Sequence, residues 1–161
     1  MTSIGIITAL YSEASCLGSL VNRKNFIHKV SGIGAGAASK AAAGLCGNGC
    51  AGLISFGYAG ALNSSYQSGA LVIGHSVSNG FKTINTSSRW LTDFLEIVEQ
   101  EKTIALYNTS FLTSSKPLTS RSQKSAHALR RNWGAVDMES YAIAEVAVEF
   151  GAPVLIVRAI L

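Results

Sequence analysis

Residues 134–161, GAVDMESYAIAEVAVEFGAPVLIVRAIL, decide the fold class. An apolar strand end, GAVDM, runs into the helical segment ESYAIAEVAVEF, and the apolar strand APVLIVRAIL follows. Strands without polar alternation belong to sheets covered by helices on both faces. The chain upstream repeats the pattern. SIGIITAL reads as a strand, SEASCLGSLV as a short helix, FIHKVSGIG as a strand entering a glycine turn and AGAASKAAAGLC as a small-residue helix. AGLISFG is a strand, YAGALNSSYQS a loop and GALVIGHSV a strand; SSRWLTDFLEIVEQE is a helix with Ser88 as its cap. KTIALYN is a strand and SRSQKSAHALRRN a helix. Such alternation, with no internal repeat and no linker, predicts a layered α/β fold in a single domain over residues 1–161.

The chain has 161 residues, 48% hydrophobic against 14% charged, enough apolar matter for one real core. Its net charge is +4, and the densest basic run is KPLTSRSQKSAHALRR, containing Lys116, Arg121, Lys124, Arg130 and Arg131. That run carries no interleaved aromatics, so it reads as a solvated loop and helix face, and no nucleic-acid partner is expected. Cys16, Cys46 and Cys50 are odd in number, CGNGC is too long for a CxxC pair, and no histidine lies near to complete a zinc site. They read as reduced, small apolar residues of a cytoplasmic protein. MTSIGIITAL has no basic n-region, and no apolar run reaches membrane-spanning length, so neither a signal peptide nor a transmembrane segment is expected.

Two glycine clusters, GIGAG and GYAG, each follow a strand. In open α/β sheets ligands bind at the carboxyl ends of strands, where glycine lets backbone N–H groups come close. GIGAGA also fits a loose GxGxxA pattern, but a dinucleotide site needs an acid about twenty residues on. No Asp or Glu occurs between Glu13 and Asp93, which counts against a nicotinamide enzyme. Glu13 is then the one carboxylate of the first 92 residues, just past the first strand. It is either a first-turn acid complementing the helix dipole or a general acid or base. Glu139 shares a helix face with Ile143, Val146 and Phe150 at about 100° per residue. A carboxylate on a buried face needs donors; a ligand with vicinal hydroxyls could supply them, or Arg158 on the next strand. His28, His75 and His127 have no metal-ligand spacing, and no GxSxG elbow occurs.

Together these segments resemble the superfamily of purine nucleoside phosphorylases and methylthioadenosine nucleosidases. IGIITALYSEA resembles its first strand and loop, VSGIGAGAASKAA its second strand and glycine turn, LISFGYAGAL its glycine loop, and AVDMESYAIAEVA its ribose-binding signature. The resemblance implies a three-layer sandwich with a central mixed β-sheet flanked by helices. It implies cleavage of the N-glycosidic bond of a purine nucleoside of adenosine type. Glu13 would activate the attacking group, Gly57, Tyr58, Ala59 and Gly60 would line the ribosyl site, and Met138 and Glu139 would hold the sugar. No cofactor or metal is implied; inorganic phosphate is a co-substrate if the reaction is phosphorolysis. Homo-oligomers are common in the family.

LISFGYAGAL, VDMES and SSRWL are most similar to the hopanoid-associated branch, implicated in removing adenine from adenosylhopane. Ser55 stands where some phosphorylases carry a phosphate-holding arginine, which leaves phosphorolysis and hydrolysis both open. In the family the last core strand leads into a Ser-Asp pair whose Asp protonates the purine. Here Leu161 stands at the serine position, so the chain resembles a member truncated at its C-terminus. That leaves a catalytically impaired, nucleoside-binding remnant as an alternative.

Overall fold

The computed structural model describes residues 3–101, 103–118, 120, 122–123 and 132–161. Among the described residues eight strands form one mixed sheet: β1 (Ile4–Thr8), β2 (Phe26–Val30), β3 (Gly52–Ala61), β4 (Leu71–Ser78), β5 (Thr83–Asn85), β6 (Leu106–Thr113), β7 (Trp133–Asp137) and β8 (Val154–Ile160). Among the described residues four α-helices accompany them: α1 (Tyr11–Cys16), α2 (Ala35–Gly47), α3 (Ser88–Val98) and α4 (Ser140–Glu149), with a 3-10 turn at Gly18–Asn22. The helix expected in SRSQKSAHALRRN lies almost wholly outside the described residues. No helix among the described residues is long and apolar enough to cross a membrane.

The three layers and the mixed sheet are as expected. Strand β1 pairs in parallel with β2 and β3, and β3 with β8. Beyond that the sheet closes: β8 runs antiparallel to β4, β4 parallel to β6, β6 parallel to β7, and β7 returns antiparallel to the end of β3. Helices α2 and α4 cover one face. Ala38, Ala42, Ala144 and Ala147 are each 0% exposed, so small side chains let these two helices sit closely on Ile7, Leu53, Val72 and Ile156. Helix α3 covers the other face with Trp90, Leu91, Phe94 and Leu95 against Ile73, Leu155 and Val157.

Several boundaries differ from the sequence reading. Strand β3 continues through Tyr58, Ala59, Gly60 and Ala61, a stretch the sequence pattern marks as loop, because β8 pairs with Tyr58 and Ala59 and β7 with Gly60 and Ala61. Strand β6 begins at Leu106 and runs to Thr113, later than expected. The cap of α3 is Ser87, whose hydroxyl accepts from the Trp90 N–H at 3.3 Å, one residue before the expected Ser88. Phe150 ends α4 half out in solvent, 52% exposed, so it is not on the buried face shared by Ile143 and Val146.

Candidate active site

The carboxyl ends of β1, β3 and β7 open into a cavity of about 320 Å³. Ala9, Leu10 and Glu13 come from the β1–α1 corner, Tyr58, Ala59 and Gly60 from β3, and Val136, Asp137, Met138 and Glu139 from the β7–α4 corner. Ile33, Lys116, Pro117, Leu118 and Leu161 complete the wall. Six of the seven residues expected from the sequence therefore line one cavity. The seventh, Gly57, lies just behind it.

Glu13 is 4% exposed and anchored by backbone alone. Its Oε2 accepts from the Ala9 N–H at 2.8 Å and the Leu10 N–H at 2.9 Å, and its Oε1 accepts from the Tyr58 N–H at 2.8 Å. With about four lone-pair positions on a carboxylate, one acceptor position on Oε1 stays available to the cavity. Gly57 explains the fit: a Cβ there would collide with the Glu13 carboxylate and with Nη1 of Arg158. The glycine is required for side-chain room, not for an unusual turn.

Glu139 is not within α4 but at its N-cap, 7% exposed. Its Oε1 accepts from the Gly34 N–H at 2.8 Å. Gly34 has φ +97°, a conformation glycine adopts without strain. The first glycine cluster thus turns its backbone donor onto a carboxylate of the protein 105 positions away. Burial pushes the Glu139 carboxyl above its ordinary value; the Gly34 N–H and the Arg158 charge pull it back in part.

Arg158, considered from sequence as a partner for Glu139, pairs instead with Asp137. Nη2 lies 2.9 Å from Asp137 Oδ2, and both side chains are 1% exposed. Nε donates to Asp137 Oδ2 at 3.1 Å, while Nη2 donates to Ser55 Oγ at 2.7 Å and Ser140 Oγ at 2.9 Å. Asp137 Oδ1 accepts from the Thr113 hydroxyl at 2.7 Å and from the Ser140 N–H at 3.3 Å. The pair fixes the corner that carries Met138 and Glu139, and it turns Nη1 toward Gly57 and Glu13. Ser55 is 0% exposed and serves this network rather than the cavity.

Sequence reasoning passed over Asp137 and read Lys116 only as part of a solvated basic run; pairing with Arg158 was one of its two alternatives for Glu139, and Arg158 pairs with Asp137. A signal for the pair was present: Asp137 and Arg158 are charges inside otherwise apolar strands, and such charges are buried only when matched. On the rim, the Tyr58 hydroxyl lies 3.6 Å from the Cys16 sulfur, and this contact, with Glu13 nearby, raises the Tyr58 hydroxyl pKa. Among the described residues no group of three His, Cys, Asp or Glu side chains gathers as a metal site.

A family model of the Phosphorylase superfamily matches residues 15–161, and the chain belongs to that superfamily. Glu13 lies two positions ahead of the matched span. No curated protein matches by sequence. Among solved structures, the futalosine hydrolase of Helicobacter pylori strain 26695 superposes with TM-score 0.89 at 19% identity, over 99% of this chain and 84% of that one. The 5'-methylthioadenosine/S-adenosylhomocysteine nucleosidase of Campylobacter jejuni gives 0.87 at 20% identity, over 99% and 85%. The nucleosidase of Neisseria meningitidis, in complex with methylthio-immucillin-A, gives 0.89 at 18% identity, over 99% and 85%. At these identities the likeness is one of fold.

Proposed function

We propose that the chain hydrolyses the N-glycosidic bond of a purine nucleoside, with water rather than phosphate as the acceptor. The observation that carries this reading is the convergence of Glu13 and Glu139, each held by backbone N–H groups, on one cavity. Glu139 is a buried acceptor with one oxygen bound by Gly34; ribose hydroxyls are the donors that complete it. Met138 packs beside it against the sugar, and Tyr58, Ala59 and Gly60 form the wall behind. Bond cleavage builds positive charge on the sugar, and two carboxylates stabilise it electrostatically. The open lone pair of Glu13, beside Nη1 of Arg158, orients a water for attack at the anomeric carbon and takes its proton.

Charge argues for water over phosphate. Glu13, Asp137 and Glu139 all line the cavity; Asp137 is matched by Arg158, which leaves Lys116 on the wall as one cation against two carboxylates. A phosphate dianion would enter a site with an excess of negative charge. Apolar wall residues Leu10, Ile33, Pro117, Leu118 and Leu161 favour a nucleoside with an apolar substituent, for which adenosylhopane is a candidate. The reading takes the chain as a cytoplasmic enzyme without a cofactor, and a homo-oligomer as is common in the family.

The test is release of adenine from adenosine and methylthioadenosine, with and without phosphate, using chain shown to be folded. Equal release in both conditions is the expected result. Release that requires phosphate would make the chain a phosphorylase. Binding of nucleoside with no release would make it a binding remnant.

A further inference from the structure

Beside the cavity at the ends of β1, β3 and β7 lies a second, larger one of about 820 Å³. Among the described residues the two share no wall residue. The segment after β6 divides them: Ser114 and Ser115 line the second cavity, Lys116, Pro117 and Leu118 the first. The β4–β5 turn, the start of β7 and α4 supply the other walls of the second.

Those walls carry three aromatic residues and one carboxylate. Phe81 is 91% exposed, yet it stands on a closely hydrogen-bonded turn. Asn79 Oδ1 accepts from the Phe81 N–H at 3.0 Å and the Lys82 N–H at 2.9 Å. The Ser78 hydroxyl donates to the Lys82 carbonyl at 2.8 Å. The ring is thus held at the cavity mouth by fixed backbone, with water where packing partners would otherwise be. Trp133 and Tyr141 line the same cavity and are nearly buried, at 8% and 6% exposed. The Tyr141 N–H donates to the Thr113 hydroxyl at 2.9 Å, which ties this wall to the end of β6. Glu145 follows one turn along α4. Burial first, then the Glu145 charge and a hydrogen bond to it, raise the Tyr141 hydroxyl pKa. The phenol therefore stays neutral and occupies one of about four lone-pair positions on the carboxylate, leaving the rest open. Among the described residues Glu145 is the one charged side chain lining this cavity.

We propose that the second cavity binds an organic ammonium ion with an apolar body, of the quaternary amine class. Aromatic faces attract a cation, and more strongly where it leaves water. Phe81, Trp133 and Tyr141 offer such faces, and Glu145 supplies the balancing charge. An anion would meet the carboxylate with nothing to offset it. A hard metal ion needs several oxygen ligands, and one carboxylate among aromatic rings is a poor set. The volume falls within the range of about 300–1,000 Å³ usual for small-molecule clefts.

The experiment titrates the whole chain with choline and with 3,3-dimethylbutan-1-ol, an uncharged molecule of the same shape, following the ligand methyl proton shifts. Choline should bind at least about fivefold more tightly than the alcohol. Glu145→Gln and Phe81→Leu should each weaken choline about threefold and leave the alcohol within about twofold. Both side chains are exposed, so the fold should survive either change, and unfolding curves verify it. Equal affinity for the two probes, no saturable choline binding, or choline binding indifferent to both substitutions would overturn the proposal. So would a wild-type dimer in sedimentation that Phe81→Leu dissociates, because a second copy would then cover the cavity. None of these outcomes bears on adenine release, so the hydrolase reading is judged separately.

Discussion

Glu139 is kept in the site at a cost to stability. Its folded-state pKa is raised by burial above the unfolded value. The protonated form is thus favoured by folding, and the stability present below the unfolded pKa of about 4.3 is lost as pH rises through the folded pKa. Glu139→Gln keeps an acceptor for the Gly34 N–H and removes the charge. It should melt at a higher temperature than wild type at pH 7, with the difference closing toward pH 4; a wild type that melts higher at pH 7 would count against the argument. The same variant should bind nucleoside at least about tenfold more weakly, the worth of one lost charge-assisted hydrogen bond. Gly57 gives the opposite balance. Gly57→Ala forces a methyl into the Glu13 carboxylate and the Arg158 guanidinium, and should cost about 1–3 kcal/mol in denaturant unfolding along with most of the turnover. Gly44→Ala is the control: it sits within α2 with nothing within 4 Å of the added methyl, and should stabilise by about 0.5–1 kcal/mol.

Strands β7 and β8 meet the start of α4 through Asp137, Arg158, Ser55 and Ser140. Removing one member of such a pair strands a charge in the interior. Arg158→Met or Asp137→Leu alone should therefore cost about 3–5 kcal/mol of unfolding free energy. Together they should recover most of that loss, because no charge is left unmatched, yet activity should stay lost. A double variant as unstable as the sum of the singles would show that the pair contributes by shape alone. This network was the part least legible beforehand. The strands and helices of the last 28 residues follow from local apolar runs, and the one-sided burial of Ile143 and Val146 follows from helical period. Which charge meets Arg158 depends on β8 lying between β3 and β4, a long-range pairing that no local pattern encodes. The same holds for Tyr58–Ala61: Tyr-Ala-Gly-Ala has the composition of a turn, and it is drawn into β3 by partners about 75 to 100 residues away. Glu13 and Glu139 were legible because buried or isolated carboxylates are costly, and the sequence shows where they fall. Lys116 was not, since an exposed lysine in a basic run looks like any solvated cation.

The cavity draws its walls from the β1–α1 corner, the end of β3, the end of β6 and the β7–α4 corner, so it exists only when the sheet has closed from β3 through β8, β4, β6 and β7 back to β3. Binding is then a property of the fully folded chain, and a ligand should stabilise the whole sheet rather than one edge. A nucleoside at 100 times its dissociation constant adds about 2.7 kcal/mol to unfolding. For a domain of 161 residues that corresponds to a rise in Tm of about 5–11 °C. Amide exchange should slow in step across β1, β3 and β7, because each presents groups to the same ligand. Glu139→Gln separates this from non-specific protection: it should begin from a higher Tm at pH 7 and, with an about tenfold weaker affinity, lose about half or more of the ligand-induced rise. If nucleoside raised the melting temperature of that variant as much as that of wild type, the ligand would be held somewhere other than the corner at Met138 and Glu139 proposed for the sugar. If it raised neither, the closed strand ends would be an empty cleft and the assignment of a nucleoside site would fail at its root.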